Sequence, residues 1–332
     1  MKAKKFGEIP GGEESLKDLL YPFYMLYPLK LWSKYRWFRN KNLALKLKKL
    51  NQSRRWVTVV NRLGARGDTL ITANVIRCLK NRYDKLKINC ISPFPELIKY
   101  DPNINAINQP ETFYSFDSTY IDLINRNDRN INVVEHNLHR LGINTFEYSS
   151  NFHLTESERF WAKKELAGIN KPVLAISTKS KENVKNWPLK NWRNVLNGLS
   201  NHYFVIHLGD DTEPTFSNVK SFAGKLSMRQ TAAILSQCSL YIGPDSLLMH
   251  LANGVNLKAI IIFGDARPVK CLGYSDNINL TGTPSSNNHW LLDSQNSKIT
   301  GNKNISNVSP EMLSCEINKL IKTNQNEFTV SI

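Results

Sequence analysis

The sequence lacks the patterns of a disulfide framework, a zinc site and a membrane span. Its five cysteines form no C-x-x-C pair and no Cys/His cluster, so neither zinc nor disulfides are predicted. No apolar run approaches the roughly 20 residues that a transmembrane helix needs. The polar segment 1–17 does not resemble a secretory signal. We therefore expect a cytoplasmic protein.

Positive charge is plentiful and lies mainly at the N-terminus. The net charge is +16, and residues 1–56 carry 14 Lys or Arg against 4 Asp or Glu. This segment is rich in leucine and aromatic residues, although Pro22, Pro28 and Lys30 interrupt its apolar run. Rings beside cations are typical of segments on anionic bilayers, so we expect a peripheral protein on the inner face of the cytoplasmic membrane. The alternative is an arm packed on the first domain. No nucleic-acid partner is expected, because no nucleic-acid-binding motif accompanies the charge.

Length and periodicity predict two α/β domains. A chain of 332 residues suits two domains. From Trp56 onward, short β-branched runs alternate with amphipathic patterns, which is typical of parallel sheets wrapped by helices. Segment 101–132 is rich in Asn and Asp and receives no assignment. We divide the chain into an N-terminal extension (1–55), an N-terminal Rossmann-like domain (56–150) and a C-terminal Rossmann-like domain (151–332).

The first candidate loop is Gly64-Ala-Arg-Gly-Asp-Thr-Leu70, where glycines precede a predicted helix. Gly64 and Gly67 allow a ligand to approach the backbone, and Arg66 and Thr69 lie in the same turn. The helix is predicted to start near Asp68, so the Asp68 carboxylate can face a crevice. The alternative is that Asp68 serves only as the N-cap of that helix. The loop is not a P-loop, because the Lys-Ser/Thr ending is missing.

The second candidate loop, residues 177–188, directly follows a predicted buried strand. It carries Lys179, Lys181 and Lys185, with the hydroxyl of Thr178 beside them. Ammonium groups neutralise phosphate charge and a hydroxyl donates a hydrogen bond, so this loop suits a diphosphate. The alternative is a solvated basic loop, since lysines are mostly exposed.

The third candidate is Tyr241-Ile-Gly-Pro-Asp-Ser-Leu-Leu-Met-His-Leu-Ala252, which predicts a strand, a tight turn and a helix. The start of a helix offers free N–H groups and a positive dipole end to an anionic diphosphate. Asp245, Ser246 and Leu247 form the turn, and the Asp245 carboxylate suits sugar hydroxyls. His250 lies about one turn further on and can reach the same ligand. The alternatives are a capping role for Asp245 and an ordinary helix histidine.

Four blocks of the sequence resemble the heptosyltransferases of glycosyltransferase family 9 in their order and spacing. The blocks are Gly67 to Leu70, Lys185 to Pro188, Leu208-Gly209 with Glu213, and Gly243 to Ala252 with Phe263-Gly264. The resemblance implies a GT-B fold, in which two Rossmann-like domains face each other across a cleft. It also implies a nucleotide-diphospho-heptose donor such as ADP-heptose on the C-terminal domain. A lipid-linked saccharide of the lipopolysaccharide core would be the acceptor on the N-terminal domain.

The resemblance also implies roles for single residues. Asp68 looks like the catalytic base of an inverting transfer, and Lys185 looks like a lysine that binds donor phosphate. Asp245, Ser246 and His250 match the donor-binding turn, and Glu213 matches a nucleoside contact. Leu247 stands where the family usually has glycine, so a catalytically silent nucleotide-sugar-binding protein is the alternative function. No D-x-D triplet occurs, and we predict no metal requirement and no cofactor.

Overall fold

The computed structural model describes residues 43–125, 128, 130–263, 269–281 and 305–330, with side chains to residue 320. Ten strands within these ranges form two separate sheets, and all their pairings are parallel. No helix in the described ranges is long and apolar enough to cross a membrane. The proposed membrane segment lies outside them up to residue 42, as does Gly264.

The N-terminal sheet has the strand order β3-β2-β1-β4. Its central strand, β1, pairs with β2 at Val59↔Cys90 and with β4 at Val59↔Phe116. All three of these side chains are fully buried, because helices cover both faces of the parallel sheet. The elements are α1 (residues 43–52), β1 (Trp56–Asn61), α2 (Arg66–Arg82), β2 (Lys87–Ile91), β3 (Ala106–Ile107), β4 (Ser115–Ser118), α3 (Ile121–Asn125) and α4 (Val133–His139).

The C-terminal sheet has the strand order β10-β9-β8-β5-β6-β7. Its central strands are uninterrupted apolar runs buried on both faces, as expected for a parallel sheet. The final helix packs on α6 and so belongs to this half. The elements are α5 (Glu156–Glu165), β5 (Val173–Ile176), α6 (Leu189–Leu199), β6 (Phe204–His207), β7 (Lys220–Ser221), α7 (Met228–Leu235), β8 (Leu240–Pro244), α8 (Leu247–Gly254), β9 (Ala259–Phe263), α9 (Val269–Leu272), β10 (Ile278–Thr281) and α10 (Pro310–Val330).

The described part of the N-terminal extension is packed on the first sheet. Leu43, Leu47 and Leu50 recur at helical spacing along α1, and all three are buried in the core. The face of α1 that carries these three leucines therefore follows the packed-arm alternative.

Arg229 in α7 links the two halves of the chain. Its partners in the C-terminal half lie at the start of that half. Its guanidinium forms a bidentate pair with Glu158, at 2.5 and 2.7 Å, and donates to the backbone carbonyls of Glu96 and His153. It also lies 4.7 Å from the centre of the Tyr100 ring. Because Glu96 and Tyr100 follow β2 of the first sheet, this single cation connects both halves.

Candidate functional site

Each of the two sheets has one crevice of the kind in which parallel sheets bind their ligands. The strand order sets the position of that crevice. In the first sheet the chain passes from β1 to β2 on one side, whereas β4 lies on the other. In the second sheet β5 and β8 flank the corresponding point. The loops that follow these strands meet at the carboxyl edge, which is where open α/β sheets bind their ligands. All three candidate loops follow β1, β5 or β8.

Asp68 is buried at the first of these points. It is the third residue of α2, because the helix begins at Arg66 and its N-cap is Ala65. Asp68 is therefore not the N-cap residue, but it still caps the helix from its third position, because its Oδ2 accepts a long 3.4 Å hydrogen bond from the Ala65 amide. Asp68 Oδ1 accepts a 2.7 Å hydrogen bond from the Tyr120 hydroxyl. The carboxylate is thus held from two sides and is 8% exposed.

The other residues of the first loop fix its shape. Gly64 has a φ of +73°, a conformation that glycine adopts without strain. The Thr69 hydroxyl is buried and hydrogen-bonded to Asn61 Nδ2 at 3.0 Å and to Ser92 Oγ at 2.9 Å. Thr69 therefore ties the first loop to the ends of β1 and β2. The Arg66 guanidinium lies 5.3 Å from the centre of the Phe94 ring, at the edge of the loop.

His250 brings the third candidate loop against the first. A side-chain carbon on Gly67 would lie 3.0 Å from His250 Cδ2 and 3.1 Å from Nε2, so glycine is what allows α2 and α8 to meet here. The imidazole is 4% exposed, and its Nδ1 lies 2.6 Å from the Tyr274 hydroxyl. The structure therefore places the third candidate loop directly on the loop that carries Asp68.

A pair of stacked tyrosines lies behind His250. The rings of Tyr148 and Tyr274 are 4.5 Å apart and nearly parallel, and the Tyr148 hydroxyl donates to the Leu272 carbonyl. Burial raises the pKa of Tyr148 well above its usual value, and the neighbouring hydroxyl of Tyr274 and the charge of Asp245 raise it further. Burial likewise raises the pKa of Tyr274. Both hydroxyls therefore remain protonated and neutral at physiological pH.

Lys185 and Asp245 connect the second and third candidate loops. Lys185 Nζ lies 3.0 Å from Asp245 Oδ2 and 3.5 Å from a Glu182 oxygen, and Lys185 and Asp245 are almost fully buried. A buried ion pair of this kind is formed at one defined position, so the solvated-loop alternative is wrong for Lys185. Lys181, in contrast, is exposed. The two residues predicted to bind different parts of the donor are therefore direct neighbours.

Glu213 holds the backbone of the second loop. Its carboxylate accepts hydrogen bonds from the amides of Thr178 and Lys179 at 3.2 Å and from Thr178 Oγ1 at 2.5 Å. His207 Nε2 lies 3.0 Å from the same carboxylate, whose side chain is 2% exposed. The Lys179 ammonium contacts the Thr212 carbonyl. In this structure Glu213 and Thr178 therefore shape the loop.

The third loop begins helix α8 as the sequence predicts. Ser246 is the N-cap residue and Leu247 is the first helical residue. Gly243, in the preceding strand, leaves no room for a side chain against the Tyr241 hydroxyl and Ser177 Oγ, which are 2.7 Å from each other. Burial raises the pKa of Tyr241, so this hydroxyl also remains neutral. The turn is a tightly packed support for the start of the helix.

Three residues of the site were not identified from the sequence. Tyr120 is hydrogen-bonded to Asp68, Tyr274 is hydrogen-bonded to His250, and Tyr148 stacks on Tyr274. None of the three tyrosines belongs to a recognisable motif. The single sequence signal was that Tyr120 begins a short apolar piece inside the unassigned segment 101–132, which proved to contain β4. In the described ranges, no group of three or more His, Cys, Asp or Glu side chains could hold a metal ion.

The family model for glycosyltransferase family 9 (heptosyltransferase) matches residues 125–298, just over half of the chain. This match begins after Asp68. No curated protein sequence matches the chain. The predicted membership of family 9 is therefore confirmed by the family model.

Solved structures of this family share the fold. A family 9 glycosyl transferase from Veillonella parvula has a TM-score of 0.64 at 15% identity, covering 81% of this chain and 97% of its own. The E. coli ADP-heptose LPS heptosyltransferase II has a TM-score of 0.56 at 12% identity, covering 81% and 99%. TibC of enterotoxigenic E. coli, described as an iron-containing dodecameric glycosyltransferase, has a TM-score of 0.63 at 18% identity, covering 80% and 76%. The chain has the GT-B fold predicted for it, and it belongs to glycosyltransferase family 9, so the protein is a glycosyltransferase.

Proposed function

We propose that this glycosyltransferase moves a heptose, or a related sugar, from a nucleotide-diphospho-sugar such as ADP-heptose to an acceptor of the lipopolysaccharide core. The observation that carries the proposal is the contact of His250 with Gly67. It brings a buried carboxylate of one half next to the donor turn of the other. A base and a donor site in contact across a cleft are what transfer between two bound sugars requires.

Asp68 would act as the general base of an inverting transfer. It would accept the proton of an acceptor hydroxyl while that oxygen bonds to the anomeric carbon from the face opposite the phosphate. The bond between the anomeric carbon and the phosphate oxygen breaks, and its electron pair leaves with the nucleoside diphosphate. The protonated Asp68 then releases this proton to water. Attack from the opposite face inverts the anomeric configuration.

The ends of β5 and β8 would hold the diphosphate. An ammonium has three donors, so pairing with Asp245 is compatible with a bond from Lys185 to a phosphate oxygen. The amides at the start of α8 would add further donors to the departing negative charge. The Thr178 hydroxyl donates its one proton to Glu213, so Thr178 would support the shape of the loop rather than bind the phosphate. TibC and the E. coli heptosyltransferase WaaC have been solved with ADP-heptose and a fluorinated analogue, which supports an ADP-sugar donor. Residues 151–332 would thus be the donor domain and 56–150 the acceptor domain.

A membrane partner is supported by an exposed face at the amino edge of the first sheet. Phe113 is 87% exposed and Leu45 is 77% exposed. Lys46 lies over the Tyr114 ring and Lys87 over the Trp56 ring. Rings and cations together suit an anionic bilayer, so we place the protein peripherally on the inner face of the cytoplasmic membrane.

The membrane partner is tested by vesicle flotation. Removing residues 1–42 should release the protein from phosphatidylglycerol vesicles while leaving Leu43, Leu47 and Leu50 in the core. Pure phosphatidylcholine vesicles are the control. Equal binding by the shortened and full chains would argue against the N-terminal segment as the anchor.

The transfer itself is tested with a panel of nucleotide-heptoses and a lipid A–Kdo acceptor, with and without EDTA. We expect transfer from an ADP-heptose that survives EDTA, with an inverted anomeric centre by NMR. Leu247 stands at the start of α8 where the family usually has glycine. The second candidate function is therefore a catalytically silent nucleotide-sugar-binding protein. That alternative predicts a thermal shift with ADP-sugars and no product with any donor and acceptor.

A further inference from the structure

Tyr120 lies in a rigid part of the first half and points its hydroxyl at Asp68. Its carbonyl accepts hydrogen bonds from the amides of Leu123 and Ile124 in α3. The residue before it, Thr119, is fixed from α4: its amide donates to Asn137 Oδ1 at 2.9 Å and its carbonyl accepts from Arg140. The tyrosine is therefore held at its backbone by two helices.

The contact between Tyr120 and Asp68 has one direction of donation. An ionised carboxylate only accepts hydrogen bonds, so the phenol donates its proton to Asp68 Oδ1 at 2.7 Å. Both residues are buried, which makes a charge-assisted hydrogen bond strong. Oδ1 is thus bonded to Tyr120, and Oδ2 accepts the 3.4 Å hydrogen bond from the Ala65 amide.

We propose that Tyr120 is a positioning residue for the Asp68 base, because its hydrogen bond to Oδ1 fixes the orientation of the carboxylate. This inference rests on the proposed transfer reaction. It gives the loop after β4 a function that no motif of the sequence assigns. A fixed carboxylate needs no reorientation when the acceptor binds, so the gain is expected in kcat rather than in donor binding.

Other charged and titratable groups lie near this contact in the part of the chain that the structure describes. Arg66 lies in α2 two residues before Asp68, and His250 packs from α8 on Gly67. Arg62, after β1, is paired with Asp117 of β4 at 2.6 Å. Tyr148 lies close enough to Tyr120 for their charges to interact. Tyr120 itself bonds directly to the carboxylate, at 2.7 Å.

The test compares Tyr120→Phe with Tyr83→Phe, a half-buried tyrosine at the far end of α2. We expect Tyr120→Phe to lower kcat about tenfold with the KM for the donor unchanged. In the wild type, the hydrogen bond from Tyr120 favours the ionised form of Asp68. Without this bond, the pKa that sets the acid limb of the pH–rate profile should rise by about one unit. Tyr83→Phe should change none of these. An unshifted acid limb with full kcat in Tyr120→Phe would overturn the proposal.

Two further measurements separate this inference from the proposed function. In an Asp68→Asn background, Tyr120→Phe should have no further effect on residual rate, whereas a merely structural role would lower it again. The ¹³C NMR titration of the Asp68 carboxyl carbon needs no turnover. A midpoint that rises in Tyr120→Phe supports the contact even if no donor is transferred, in which case the proposed reaction alone fails. An unchanged midpoint overturns the positioning role.

Discussion

Substituting Gly67 by alanine tests the contact between the two halves. In a helix, alanine is favoured over glycine by about 1 kcal/mol, so an open site would gain stability. At Gly67 the new carbon would lie 3.0 Å from His250 Cδ2. The imidazole cannot retreat freely, because it is 4% exposed and bonded to Tyr274. Overpacking of this kind costs about 1–3 kcal/mol. This cost should exceed the gain in helix propensity by about 1 kcal/mol.

Gly198→Ala is the matched control, because nothing lies within 4 Å of the carbon it would add to α6. Thermal unfolding should show a lower Tm for Gly67→Ala, by about 2 °C, and an equal or higher Tm for Gly198→Ala. The same displacement should lower kcat/KM for transfer in Gly67→Ala alone. If both alanine variants are equally stabilised, His250 does not pack on Gly67 and the two candidate loops do not meet.

Three further predictions concern other contacts of the site and its support. Lys185→Met leaves the Asp245 carboxylate buried without its cation, so urea unfolding should show a loss of about 3–5 kcal/mol, and Lys185→Arg should lose far less; equal losses would show that charge is not what matters. Arg229 lowers the pKa of Glu158 from 4.5 to about 2, so Glu158 stabilises the fold above pH 4.5, and this contribution disappears as the pH falls from 4.5 towards 2. The stability difference between wild type and Glu158→Gln should shrink over that range, and a constant difference would contradict the ion pair. Leu247→Gly should tighten donor binding by letting the backbone approach the diphosphate, measured by calorimetry, at a helix cost of about 1 kcal/mol; unchanged affinity would mean that Leu247 does not obstruct the donor.

The parts of the fold that the sequence predicted best are its apolar strands. The sequence pattern predicts a strand over 259–263 and a helix over 189–199, and the structure has the strand Ala259–Phe263 and the helix Leu189–Leu199. No element was predicted in segment 101–132, because β4 has the sequence Ser-Phe-Asp-Ser, which is polar although it is buried. Asp117 is paired with Arg62, and Ser118 accepts a hydrogen bond from Thr72. Such partners come from other elements, and no local pattern reveals them.

The candidate site was predictable one loop at a time. Glycines and helix starts marked the loops after β1 and β8, and family resemblance singled out Asp68 within them. The pairing of Lys185 with Asp245, and the hydrogen bond from Tyr120 to Asp68, depend on strand order. Strand order is set by the packing of the whole chain, so these contacts could be found only in the structure.

The most direct test of the central proposal is the rate of transfer from ADP-heptose in Asp68→Asn, with Asp101→Asn as a control for a buried acid outside the site. Asparagine keeps the shape of the side chain but cannot accept the proton. We expect Asp68→Asn to lose about 10²–10⁴-fold in kcat while still binding the donor, and Asp101→Asn to retain activity. Wild-type kcat in a correctly folded Asp68→Asn protein would contradict it.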